Sequence, residues 1–244
     1  MMFVIRKPWC LLAAVCAAAF FCSPPLAADE PFRVLSPAGI GPHPAVLLVP
    51  GCSGFVATNG INLYEERAAE LQKSGYVVVF VDYIGRRMQG NCAHVLQTEV
   101  SADVLEAASW IRSQSGIDAR RIAVIGWSYG GGGVLAALKA MPADPPIAKA
   151  VMYYPVCRGA VPWTTTTTAL MLLGENDDIA FPRLCDAVAK GVPADRLRTI
   201  TYAKARHGFD MRGLPERTDQ PSGSPGYNAE AAMSSWSTVL DFLR

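Results

Sequence analysis

Short uninterrupted apolar runs alternate along the chain with longer stretches whose apolar positions recur every three or four residues. The runs at 45–49 (AVLLV), 76–82 (YVVVFVD), 121–126 (RIAVIG), 148–154 (AKAVMYY), 169–174 (ALMLLG) and 197–203 read as strands. They are rich in Val, Ile and Leu and lack polar alternation, which suits strands of a parallel sheet covered on both faces. Helical patterns lie at 61–73, 100–112, 130–141 and 182–190, and a last one at 229–243 starts behind Asn228, a residue suited to capping. Strand–helix alternation implies βαβ units and an α/β fold: a mostly parallel central sheet with helices on both faces. The threonine run at 164–168 reads as an ordinary loop. The stretch 213–227, rich in Pro, Gly and Ser, is the one long connection without a pattern, and such a loop is functional or merely mobile.

Residues 1–28 carry a different pattern. Arg6 and Lys7 precede a charge-free apolar run over 9–22, Pro24 and Pro25 break it, and Leu26-Ala27-Ala28 ends on a small residue. This is the layout of an export signal, and the run falls short of the roughly 20 residues needed to span a bilayer. Cleavage is expected after Ala28. It would leave a single domain over 29–244, exported to the periplasm or the medium and not associated with a membrane. It would also remove Arg6, Lys7 and three of the seven cysteines, leaving a net charge of −1 with Cys52, Cys92, Cys157 and Cys185. An even set in an oxidising compartment reads as structural disulfides, with three pairings possible. No Cys-x-x-Cys occurs, which argues against thiol–disulfide exchange. With 22 basic against 21 acidic residues in the full chain, there is no electrostatic footprint for nucleic acid.

Gly126-Trp127-Ser128-Tyr129-Gly130 is a G-x-S-x-G pentapeptide placed between RIAVIG and GGGVLAALKA. A strand-to-helix turn of this kind exposes a nucleophilic serine, and side chains at either glycine would collide with neighbouring backbone. The helix N-terminus also puts positive partial charge near a forming oxyanion. The serine needs a base. His43 sits between prolines ahead of a strand and looks structural, and His94 lies in a loop after Cys92, whereas His207 directly follows the sixth strand. The third member must orient the imidazole and offset its charge. Asp177, in Gly174-Glu175-Asn176-Asp177-Asp178 at the end of ALMLLG, is preferred over Asp178. The order Ser128, Asp177, His207 is that of an α/β-hydrolase. Oxyanion donors would be the backbone N–H of Tyr129 and, in the loop Pro50-Gly51-Cys52-Ser53-Gly54, that of Cys52, with Ser53 as the alternative.

With these residues placed, the segments VLLVPGCSG, YVVVFVDYIGR, IGWSYGGG, AVMYYPVCRG, MLLGENDD and YAKARHGFD together resemble the dienelactone hydrolase family over most of the chain after residue 28. The resemblance implies an α/β-hydrolase fold and hydrolysis of small esters or lactones without metal or organic cofactor. There are departures. The founding enzymes use a cysteine nucleophile where this chain has Ser128, which favours serine-esterase chemistry, and the His-Gly of many hydrolases is Pro50-Gly51 here. Arg86 matches a position at which family members bind a substrate carboxylate. Arg212 is displaced by one residue from a second such position, and solvated surface arginines are the alternative for both. In this fold Cys52 and Cys92 follow neighbouring strands, as do Cys157 and Cys185, so those are the bonds expected. Rival readings on the same scaffold are a small peptidase or a deacetylase. A non-catalytic periplasmic binding protein is a rival of another class, although a binding module has no need of all three triad residues.

Overall fold

A short strand β1 (Arg33–Leu35) precedes β2 (His43–Val49), β3 (Val77–Phe80), β4 (Ile117–Trp127), β5 (Lys149–Tyr153), β6 (Thr168–Gly174) and β7 (Leu197–Tyr202). The helices are α1 (Leu63–Lys73), α2 (Gln97–Arg112), α3 (Ser128–Ala140), α4 (Pro182–Ala189) and α5 (Ala229–Leu243). They belong to a computed structural model that describes residues 30–216 and 222–244; the expected export signal lies outside the described residues. The sheet runs in the order β1-β3-β2-β4-β5-β6-β7. Every neighbouring pair is parallel except β1 with β3.

Both faces are dry, and the side-chain alternation within one strand shows how. Ala45, Leu47 and Val49 of β2 pack with Val100, Val104, Val134 and Leu138 of α2 and α3. Val46 and Leu48 pack on the other face with Leu63, Leu71, Trp236 and Val239 of α1 and α5. A strand with both faces covered has no position left for a polar residue, which is why the run AVLLV shows no alternation. Truncating Leu47 or Leu48 to alanine would cost about 2–5 kcal/mol, the range for removing buried leucine. Phe32–Arg244 forms one compact unit.

The elements differ from the pattern at their ends, each for a local reason. β1 has three residues, too few to carry a period, and pairs antiparallel to β3 at the sheet edge. β4 begins at Ile117, ahead of its apolar run, because Ala119, Arg120 and Arg121 are exposed there. α1 starts after Asn62, whose Oδ1 accepts the amides of Tyr64 (3.1 Å) and Glu65 (3.3 Å). Asn228 caps α5 in the expected way, accepting the Ala231 amide at 3.0 Å. The threonine run is more than a plain loop. Thr167 is fully buried and donates to the Ile147 carbonyl at 2.8 Å, and Thr168 opens β6.

Candidate active site

β4 hands over to α3 between Trp127 and Ser128, and Ser128 has φ +51°. A non-glycine residue in this left-handed region costs about 1–3 kcal/mol and persists only where its surroundings hold it. The flanking glycines make the turn possible. A Cβ on Gly130 would lie 2.1 Å from the Pro50 carbonyl oxygen, and one on Gly126 would lie 2.9 Å from Gly131 Cα. Tyr154, just past β5, is also non-glycine at positive φ (+35°), and its ring packs edge-on against His207 with centroids 4.7 Å apart. Two strained residues therefore touch one imidazole.

The ends of β6 and β7 bring the other groups in. Glu175 N donates to Tyr202 O (3.0 Å) and Asn176 N to Ala205 O (2.9 Å), which lays the turn after β6 beside His207. His207 Nδ1 lies 2.8 Å from Asp177 Oδ2, and His207 Nε2 lies 2.8 Å from Ser128 Oγ. Ionised, the carboxylate only accepts, so Nδ1 carries the proton, and the hydroxyl donates to Nε2. Asp177 is buried, and its Oδ1 accepts the amides of Ile179 (2.9 Å) and Ala180 (2.8 Å). Asp178 turns elsewhere. It accepts Ser222 Oγ and Gly223 N, both at 2.7 Å, and these bonds hold its carboxyl below the usual carboxylate range. His43 opens β2 with its Nε2 3.4 Å from Gly39 O, and His94 closes an exposed 3-10 turn; neither lines the cavity that holds Ser128.

That cavity has a volume of about 330 Å³ and is lined by Ser128, His207, the loop at 51–54 and both ends of the 213–227 connection through Leu214 and Pro225. The Gly51 peptide is fully engaged: its N–H donates to Tyr64 Oη and its carbonyl accepts Tyr83 Oη, each at 2.9 Å. Burial raises the pKa of both phenols well above 10, so they stay neutral. The next residue, Cys52, lines the cavity and is bonded to Cys92, whose N–H donates to Cys52 O at 2.9 Å. A second disulfide joins Cys157 after β5 to Cys185 in α4. The two pairs are those expected. Among the described residues no group of three or more His, Cys, Asp or Glu could hold a metal ion.

The structure does not bring the arginines to this cavity. Arg86, expected to bind substrate, lies against α2 instead, 2.9 Å from Glu106 and 3.4 Å from Asp103, with its guanidinium 5.1 Å from the Phe32 ring. Those acidic partners on α2 outcompete a cavity that offers it none. Arg212 pairs with Glu66 and lines a separate groove between α1 and α5. Conversely, no motif in the sequence points to Asp210. Its carboxylate is fully buried and accepts Trp127 Nε1 (2.9 Å) and Tyr154 Oη (2.6 Å), tying together the residue before Ser128 and the ring on His207. Burial raises its pKa above the ordinary value.

Residues 32–244 match the model of the dienelactone hydrolase family. The chain belongs to that family. Dienelactone hydrolase relatives also stand among the solved structures it is similar to. A candidate dienelactone hydrolase from Klebsiella pneumoniae is 18% identical, with 88% of this chain and 99% of that chain covered and a TM-score of 0.66. A dienelactone hydrolase-like promiscuous phosphotriesterase from metagenomic libraries is 20% identical over 83% and 86%, with a TM-score of 0.64. A thermophilic esterase from Thermogutta terrifontis, solved with propionate bound, is 14% identical over 86% and 88%, with a TM-score of 0.58. At these identities the structures speak for the fold, which is that of the α/β-hydrolases. No curated protein matches the sequence. Membership of the dienelactone hydrolase family makes the protein a hydrolase with a small-molecule substrate. Its two disulfides suit an oxidising, exported environment, and no helix among the described residues is long and apolar enough to cross a membrane.

Proposed function

We propose that the protein is an exported serine hydrolase of small carboxylic esters or lactones, with residues 1–28 as its signal and 29–244 as its single domain. The observation that carries this reading is the unbroken relay Ser128–His207–Asp177, with both contacts at 2.8 Å, opening into a cavity of substrate size. His207 removes the Ser128 proton as Oγ attacks the carbonyl carbon, while Asp177 holds the ring and offsets its charge. The oxyanion is received by the amides of Tyr129 and Cys52. Tyr129 supports this role because its amide lies in the first turn of α3, where no helical acceptor exists. Cys52 supports it because the Gly51 amide before it is already committed to Tyr64. One such donor is worth about 3–4 kcal/mol of transition-state stabilisation. His207 then protonates the leaving oxygen, and water repeats the sequence on the acyl-enzyme.

The test is intact-mass analysis after treatment with a fluorophosphonate. A single adduct on the wild type and none on Ser128→Ala is the expected result. An adduct retained on the variant would place the reactive group elsewhere, and none on either protein would favour a binding protein.

A further inference from the structure

We infer that the cavity selects uncharged acyl groups and rejects carboxylated ones; this rests on the serine-hydrolase reading above. Its lining includes the aliphatic side chains of Val56, Ile179, Met211 and Leu214 and the rings of Trp127 and Tyr154. The hydroxyls of Ser53 and Thr58 and the phenols of Tyr64 and Tyr154 are its uncharged polar groups beside Ser128 and His207. Val56 and Ile179 remain 53% and 42% exposed, so apolar surface is on offer to an entering ligand. Among the described residues no lysine or arginine lines the cavity. Arg86 and Arg212 are committed to Glu106 and Glu66. Asp177 stands behind His207, and the Asp178 carboxylate turns away to Ser222 and Gly223. A substrate carboxylate would lose its hydration against this apolar lining and find no lysine or arginine among the described lining residues to offset its charge. The volume sets a size as well. About 330 Å³ equals roughly eleven water volumes at about 30 Å³ each, enough for a short acyl chain or a single lactone ring.

Three esters with one leaving group separate charge from length: 4-nitrophenyl hexanoate, mono(4-nitrophenyl) adipate, and the adipate with its free carboxylate masked as a methyl ester. Rates are taken for the wild type and for Ser128→Ala, with spontaneous hydrolysis subtracted. The hexanoate is expected to exceed the free adipate at least 100-fold in kcat/KM, and masking is expected to restore the rate to within about tenfold of the hexanoate. Comparable rates for hexanoate and free adipate would overturn the inference, as would a masked ester as slow as the free acid. Hydrolysis of the hexanoate undiminished in Ser128→Ala would overturn the serine reading instead.

Discussion

Two acidic clusters in this protein use the same residue type to opposite ends. On α2, Asp103, Glu106 and Glu99 each face a guanidinium: Arg87 Nη1 lies 2.5 Å from Asp103 and Arg87 Nε 3.5 Å from Glu99, while Arg86 holds Glu106. At the candidate site, Asp177 and Asp210 face no arginine or lysine of the described residues at hydrogen-bonding distance. Asp177 is held by two amides and an imidazole, and Asp210 by an indole and a phenol. Charge that is cancelled on the spot fastens a loop to a helix and does little else. Charge held by neutral donors stays available to a cation that forms later, and in the proposed mechanism that cation is the His207 imidazolium.

The sharpest way to break this contrast is to remove the cation or its partner. His207→Ala is expected to lower kcat/KM by about 10⁴-fold or more, and Asp177→Asn by a comparable factor, because the amide would favour the wrong tautomer. Asp178→Asn, one residue along, is expected to change it by less than tenfold, since that carboxylate faces Ser222 and Gly223 rather than His207. Esterase rates on the three variants, with circular dichroism to confirm folding, decide the matter. If Asp178→Asn were the crippling change, Asp177 would not be the orienting group.

Covalent staples come next in size. The cysteines of the two disulfides are separated by 40 and 28 residues, and in the chain-entropy model each bond contributes about 3.5–4 kcal/mol. Replacing Cys157 and Cys185 together by alanine should lower unfolding stability by roughly that much with little effect on kcat. Replacing Cys52 and Cys92 should lower both, because that bond pins the loop carrying the proposed oxyanion donor. Urea unfolding read alongside steady-state kinetics separates the two cases. Equal kinetic effects from both pairs would remove the oxyanion loop's special standing.

Asp210 offers a test through pH. Its folded-state pKa is raised above the ordinary 3.8 by burial, so ionisation disfavours the native state. Its contribution to stability is fully present below the ordinary value and is lost as pH rises through the folded one. In Asp210→Asn the side-chain oxygen can still accept from Trp127, and the amide can donate to Tyr154 Oη, with no charge left to titrate. The stability of the wild type minus that of the variant should therefore fall as pH is raised from about 3.8. A difference independent of pH would mean that the carboxyl ionises alike in the folded and unfolded chain, so that burial does not raise its pKa.

How much of this could be read from the chain depends on how far apart the partners lie. The central strands are legible because two-sided burial leaves an unbroken apolar run, whereas the three residues of β1 leave no pattern at all. Ser128, Asp177 and His207 are legible as candidates because each follows an apolar run, and in a parallel sheet those ends share one edge. Asp210 is not, because its partners Trp127 and Tyr154 lie 83 and 56 residues away, and nothing local distinguishes it from any aspartate in a turn. Arg86 misled for the same reason. Its position after β3 follows from the chain, but its direction is set by Asp103 and Glu106, which α2 presents only after folding.

Arg86→Ala accordingly carries the smallest expected effect and the finest test of the contrast. Arg86 is one third exposed, and its closest ion-pair partner, Glu106, is about half exposed, so that pair is worth about 0–1 kcal/mol. Asp103, the buried partner, keeps Arg87 at 2.5 Å and is not left uncompensated. The variant should lose less than about 1 kcal/mol of stability and keep kcat/KM within twofold for an uncharged ester. A carboxylated ester, for which no counter-ion would be lost, should show the same twofold limit. A selective tenfold drop on that substrate alone would mean that the guanidinium leaves Glu106 and reaches the cavity during binding, and the α2 cluster would then belong to substrate recognition.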